Sequence, residues 1–210
     1  VYDLPAGSYT YTVEAKGYKK IKNQLLTVGA AAQTVNVALT ASDAWEGDSV
    51  VPTKVGSVYQ ITSGAELKGF ADLVNGEEPG AKGILTKNIT LNEPGDYAQK
   101  WTPMGASSSA AFTGDFDGNG KTITGLSAPL FAGGFAGKSG IVIKDLTIAG
   151  ADINDTTNNQ GIGAFINCVD SMTRIELDNC HLKNSKIVST GGARVGGLIG
   201  WTSGYNNQND

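Results

Sequence analysis

The chain has 210 residues, a net charge of −4 at pH 7 and 17% charged residues, below the usual share of about 25%. Glycine fills 29 positions, about twice its usual share, which suits many tight corners between short strands and argues against a helical bundle. No block of Lys or Arg stands out, which disfavours nucleic acid as a partner, and no apolar run of about 18 residues is present to cross a membrane as a helix.

Residues 1–41 alternate with the period of a strand. Tyr9, Tyr11, Val13 and Ala15 fall on one face, and Thr10, Thr12, Glu14 and Lys16 on the other, as in a half-buried antiparallel strand. Residues 21–28 read as a second strand and residues 33–40 as a third, with Val35, Val37 and Leu39 inward. Three strands do not close a sandwich, so this stretch is expected to be a partial β-sandwich, with direct packing on the following residues as the alternative. Val1 already stands in mid-strand, so the chain is expected to be a piece of a longer protein, with any anchor upstream. Residues 42–56 carry Pro52 and two glycines and read as a linker, docked by Trp45.

Tyr59 and Ile61 then form a short strand that enters a helix over residues 64–74. Ser63 and Glu66 make a capping box. Leu67, Phe70, Ala71 and Val74 form one apolar stripe at i, i+3, i+4 and i+7, and Asn75-Gly76 ends it. Such a helix suits the role of an N-terminal cap over strand edges that would otherwise be bare. Residues 84–91 give the next strand, with Ile89 and Leu91 inward. Residues 92–109 form a long loop anchored by Trp101-Thr-Pro-Met.

The stretch from Phe112 to Gly200 repeats itself. Ile175 follows Ile141 by 34 residues, and the same offset sets Ile143 on Leu177, Leu146 on Cys180, Ile148 on Leu182 and Ile153 on Ile187. It also sets Gly163-Ala-Phe on Gly197-Leu-Ile. A fixed period of this size marks units that stack because none buries its own apolar face. In both copies the alternation slips by one residue, between Ile143 and Leu146 and between Leu177 and Cys180, as it does where a strand turns a corner. Strand and corner stacked at a regular period predict an all-β fold, a parallel β-helix of few coils over residues 57–210. The tail from Thr202 is polar and is expected to fray, leaving the last coil without a cap.

Gly197-Leu-Ile-Gly200 resembles the Gly-Leu-hydrophobic-Gly motif of the GLUG-repeat family of bacterial surface and secreted proteins. Gly134-Phe-Ala-Gly137 resembles a second copy and Gly163-Ala-Phe-Ile166 a degenerate one. Trp101-Thr-Pro-Met-Gly105 and the run from Phe112 to Leu126 resemble that family's lead-in, so the likeness covers about residues 57–200. It implies a right-handed parallel β-helix displayed outside the cell, often in adhesins, and does not imply catalysis. Leu4-Pro-Ala-Gly-Ser-Tyr through Lys16-Gly-Tyr resembles the second half of a carboxypeptidase-regulatory or collagen-adhesin B-type sandwich, a stalk unit of surface proteins.

Candidate sites are few. Asp115, Asp117 and Asn119 match the first half of a calcium loop, but Leu126 stands where its bidentate acid belongs, and Asn119-Gly120 is equally a tight-turn signal. Calcium is therefore the only cofactor in view, with a structural turn as the favoured reading. Asp145 and Asp178 fall at neighbouring corner positions, and Asp152 falls on Lys186. Nothing in the spacing gathers acids on one strand face with Arg174 or Arg194, as a glycosidase or lyase requires. His181, next to inward Cys180, should face solvent, and Cys168 and Cys180 fit no metal spacing. Trp101, Trp201 and Tyr205 lie in or near loops, where an aromatic face stacks on a sugar ring, or where a buried ring pins the loop. The expectation is a bacterial cell-surface module, extracellular and non-enzymatic, that binds a host or environmental glycan or matrix protein. The alternatives are a polysaccharide-active enzyme, or its binding region, and a structural spacer.

Overall fold

The computed structural model describes residues 4–134, 140–156, 160–170 and 174–203. The fold is all-β with a single helix among the described residues, and the chain divides into two compact units, residues 1–43 and 44–210.

In the first unit β1 (Gly7–Val13) pairs antiparallel with β2 (Ile21–Val28), Tyr9 opposite Leu26. The third strand expected over residues 33–40 does not form. The chain meets the residues before β2 at the end of this stretch, where Lys19 N–H donates to Thr40 O (2.8 Å) and Tyr18 bridges Ala41, and Val35 and Leu39 stay exposed. No side chain described in this unit is buried, so a third strand has no apolar face to cover.

The second unit opens at Trp45. Of residues 42–56, expected as a linker, those from Ala44 onward belong to this unit. The Trp45 ring is buried, its backbone N–H donates to Thr90 O (2.8 Å), and Val50 N–H donates to Ala65 O (3.0 Å). β3 (Thr53–Val55) turns back onto β4 (Val58–Ile61), and α1 (Gly64–Asn75) follows. Ser63 caps α1 with extended backbone, its hydroxyl accepting from Glu66 N–H at 3.2 Å. Glu66 reaches back to Thr62 N–H (2.6 Å), one residue before the cap itself. The predicted apolar stripe is the buried face: Leu67, Phe70 and Val74 are each 0% exposed. Phe70 packs on Tyr59, Phe112 and Phe116 with ring centroids 5.8–6.5 Å apart.

The remaining strands are short: β5 (Lys82–Leu85), β6 (Ile89–Thr90), β7 (Asp115–Thr124), β8 (Phe131–Gly134), β9 (Ile141–Ala149), β10 (Asp152–Asp155), β11 (Gly161–Ile162) and β12 (Ile166–Val169). The last layer holds β13 (Ile175–Asp178), β14 (His181–Lys183), β15 (Lys186–Ser189), β16 (Arg194–Val195) and β17 (Ile199–Thr202). Residues 84–91, expected as one strand, are split into β5 and β6. The largest sheet runs β13-β9-β7-β5-β4-β3, with β14 beside β9 and β6 beside β7, and is antiparallel only at β3–β4. Three smaller parallel sheets pair β10 with β15, β11 with β16, and β17-β12-β8.

Register sets like on like. Tyr59, Gly83, Phe116, Ile143 and Leu177 form one column across successive strands, and Ile89, Ile123, Ile148 and Leu182 another. Apolar side chains in such columns exclude water along the whole stack, the main favourable term in its stability. At the slipped alternation the chain does not leave its sheet, since β9 runs unbroken through Asp145 and β13 and β14 both pair with it; the slip is made by left-handed backbone at Asp145 and Asn179 (φ 50° and 49°), as at Asn119 one layer below (φ 50°). Asn and Asp tolerate this conformation better than other side-chain-bearing residues.

The repeat is not uniform. Ile141 pairs with Ile175 and Ile153 with Ile187 at the expected 34, but Ile166 pairs with Ile199 and Gly161 with Arg194 at 33. Gly163 therefore does not stack on Gly197. Phe165 and Ile166 lie over Leu198 and Ile199, and one layer earlier Leu130 and Phe131 occupy that place. Of the expected motif copy at Gly134, residues 135–137 lie outside the described residues, and Gly134 itself pairs with Val169, past the motif.

Candidate functional site

Trp201 lies in β17, whose neighbour β12 places Cys168 beside it. β11 passes close behind: a Cβ on Gly161 would stand 2.6 Å from Trp201 Cβ, so only glycine admits the strand there. Across the turn that joins β16 to β17, the Arg194 guanidinium carbon stands 4.8 Å from the centre of the Trp201 ring. A cation over an indole face is held by the ring quadrupole. Trp201 is half-buried and Arg194 exposed. Cys168 Sγ contacts Gln160 Oε1 at 3.0 Å, and burial pushes the Cys168 thiol up from its ordinary pKa, with Asp170 adding to it. Cys180 is likewise raised, chiefly by burial. Both thiols are unbonded and belong to the packing of the stack rather than to a nucleophile.

Trp101 does not present a stacking face. It is 4% exposed, its Nε1 donates to Leu130 O at 3.4 Å, and its ring meets Trp45 edge-on at 6.2 Å. Its own N–H donates to Ser127 Oγ at 2.9 Å. The segment behind it is a layer of the stack, since Met104 bridges to Phe131 in the parallel sense. The ring pins a loop, the other reading of this residue. Tyr205 lies outside the described residues.

The half calcium loop is committed elsewhere. Asp115 pairs with Lys82 at 2.7 Å and Asp117 with Lys144 at 2.9 Å. Asp117 Oδ1 also accepts from Asn119 N–H at 2.7 Å, and Asn119 Nδ2 donates to Leu85 O at 3.1 Å. Lysine ammonium groups thus stand beside the two carboxylates, and the Asn119 amide bonds to β5. The hydrogen bond from Lys144 to Asp117 holds the Lys144 ammonium above the usual lysine pKa.

The other expected residues are dispersed. Asp178 pairs in register with Lys144, and Asp145 accepts from Asn179 Nδ2 at 2.7 Å. Asp152 pairs with Lys186 as the offset predicts. His181 is exposed, Nε2 3.0 Å from Asn179 Oδ1. Two asparagines do more than their sequence context shows. Asn75 ends α1 and also holds the chain at residues 103–106 through Pro103 O, Gly105 N–H and Ala106 N–H (2.7–3.2 Å). Asn92, 3% exposed, is fully bonded to Gln99 and to Gly125 O (2.8–3.0 Å). The Arg194–Trp201 pair itself carries no sequence signal, because the turn that joins its members is visible only once β16 and β17 are placed. Compared with protein-family models, curated proteins and solved structures, the chain matches none.

Proposed function

We propose that residues 57–210 form a right-handed parallel β-helix of few coils with α1 as its N-terminal cap. In this reading the chain is a non-enzymatic module of a bacterial surface protein, extracellular, that binds a host or environmental glycan or matrix protein. The in-register parallel pairs at offsets of 33 and 34 support the coil reading, as does the resemblance of Gly197-Leu-Ile-Gly200 to the GLUG motif. The binding reading is carried by one observation: Trp201, half-exposed on a strand, with Arg194 at 4.8 Å. An aromatic ring fixed on regular structure binds a sugar with little ordering cost. The acids weighed for a polysaccharide-active enzyme are spread along the stack: Asp145 accepts from Asn179 Nδ2, Asp178 lies beside Lys144 and Asp152 beside Lys186, which favours binding over cleavage.

The test is incubation with host and plant polysaccharides and mucins, scoring retained protein and soluble products together. Retention without products is expected, weakened roughly tenfold by Trp201→Ala, the equivalent of about 1.4 kcal/mol. Released oligosaccharides would contradict the reading, and the absence of both signals would leave the spacer.

A further inference from the structure

The sequence carries the acceptor pattern for asparagine-linked sugar, Asn-x-Ser/Thr with x not proline, at two places: Asn88-Ile-Thr90 and Asn154-Asp-Thr156. So short a pattern arises readily by chance, and the structure around each copy decides what it is worth. A transferring enzyme takes hold of the asparagine carboxamide and of the hydroxyl two residues on. Both groups therefore have to be exposed and free of other duties.

The first copy is committed. Asn88 Oδ1 accepts from Thr122 N–H at 3.0 Å, beside the place where the register between β7 and β9 shifts. Drawing this side chain away would leave a strand N–H without its partner, at a cost. Thr90 is half-buried in β6, and its carbonyl accepts from Trp45 N–H at 2.8 Å.

The second copy is open. Asn154 lies in β10 and is exposed, and Thr156, just past the end of the strand, is exposed as well. Among the described residues neither side chain has a hydrogen-bond partner. In a strand, residues two apart share a face, so the carboxamide and the hydroxyl stand on the same side. Ile153, 1% exposed, fixes that side as the outer one. Asp152 adds a carboxylate to it two residues before the asparagine, where the first copy has Thr86. Opposite Asn154 on β15 stands Val188, so no charge on the neighbouring strand holds the amide.

We propose that Asn154 is a site of asparagine-linked glycosylation. The donor is an oligosaccharide joined through its anomeric carbon to a lipid pyrophosphate. Asn154 Nδ2 bonds to that carbon, the carbon–oxygen bond breaks, and the lipid pyrophosphate leaves with the electron pair. The amide proton passes to a base of the enzyme, and nothing is oxidised or reduced. The proposal rests on the extracellular placement given above and is independent of what binds at Trp201.

The experiment is incubation of the folded 210-residue chain with a bacterial oligosaccharyltransferase and its lipid-linked donor, read by intact mass and peptide mapping. A standard acceptor peptide in parallel shows that the enzyme is active, and thermal melts show that each variant is folded. One glycan, at Asn154, is expected. Asn154→Gln and Thr156→Ala should each abolish it, whereas Thr156→Ser and Asn88→Gln should leave it in place. No transfer to the folded chain would overturn the proposal. So would a glycan at Asn88 instead, or one at Asn154 that Thr156→Ala leaves unchanged.

Discussion

Asparagine and aspartate at three left-handed positions set the geometry of the large sheet. Asn119, Asp145 and Asn179 share φ near 50° in successive layers, and the Asn179 amide donates to Asp145 at 2.7 Å. Replacing Asn179 with Val should cost about 1–2 kcal/mol for forcing a β-branched residue into left-handed backbone, beyond the lost hydrogen bond. Asn179→Gly should lose the bond alone. Denaturant midpoints of the two variants should therefore separate, and equal midpoints would show that the backbone strain plays no part. The slip of one residue in the alternating pattern marked these positions, although the chain makes it by a left-handed residue within one sheet and not by passing to another. The burial of Trp101 was not legible, because an aromatic residue in an apparent loop reads the same whether its ring faces water or fills a gap. Only the bridge from Met104 to Phe131 shows that this loop is a layer of the stack.

Among the elements, α1 was the most readable. A capping box and a stripe at helical spacing are local signals, and Leu67, Phe70 and Val74 are closed as the stripe requires. The strap of residues 45–51 that crosses α1 was not readable, since its closest approach is to the backbone of the helix, with one side-chain bond from Ser49 Oγ to Asp72 (2.7 Å). At Gly69 the helix comes so close that a Cβ would stand 2.0 Å from Val50 O. Gly69→Ala removes a helix-weakening residue, worth about 1 kcal/mol in an open helix. Here it must displace the strap, and a net loss of about 1–3 kcal/mol is expected in thermal or chemical unfolding. A stabilised variant would mean that the strap does not bear on α1. The glycine motif was misplaced for a related reason. Gly200 is needed where a Cβ would come 2.1 Å from Ile162 N, and that contact lies between strands of different layers. The spelling of the motif marks the close approach without fixing which residues stack.

For the molecule as a whole, the period of the apolar residues carried most of the information. Inward columns such as Phe116, Ile143 and Leu177 persist because each layer closes the face of the one before it. The period fails as a guide where a turn changes length, which is why the offset drops to 33 at Ile166 and Ile199. A shift of one residue there is invisible to composition, because Gly196 and Gly197 are alike. The site was less legible than the fold: a binding face depends on which side chains remain uncovered, and the pairing of Arg194 with Trp201 arises across a turn.

Among the described residues, the strands from β4 to β17 pair in parallel register, with Val142 opposite Glu176 on the outer face. Paired strands hold facing Cα atoms about 5 Å apart, within disulfide reach, whereas a shift of two residues exceeds it. With Cys168 and Cys180 replaced by alanine, Val142→Cys with Glu176→Cys should form an intramolecular disulfide under mild oxidation. Val142→Cys with Asp178→Cys should not. Crosslinking of the second pair in preference to the first would contradict the register and, with it, the stack from which both proposals are built.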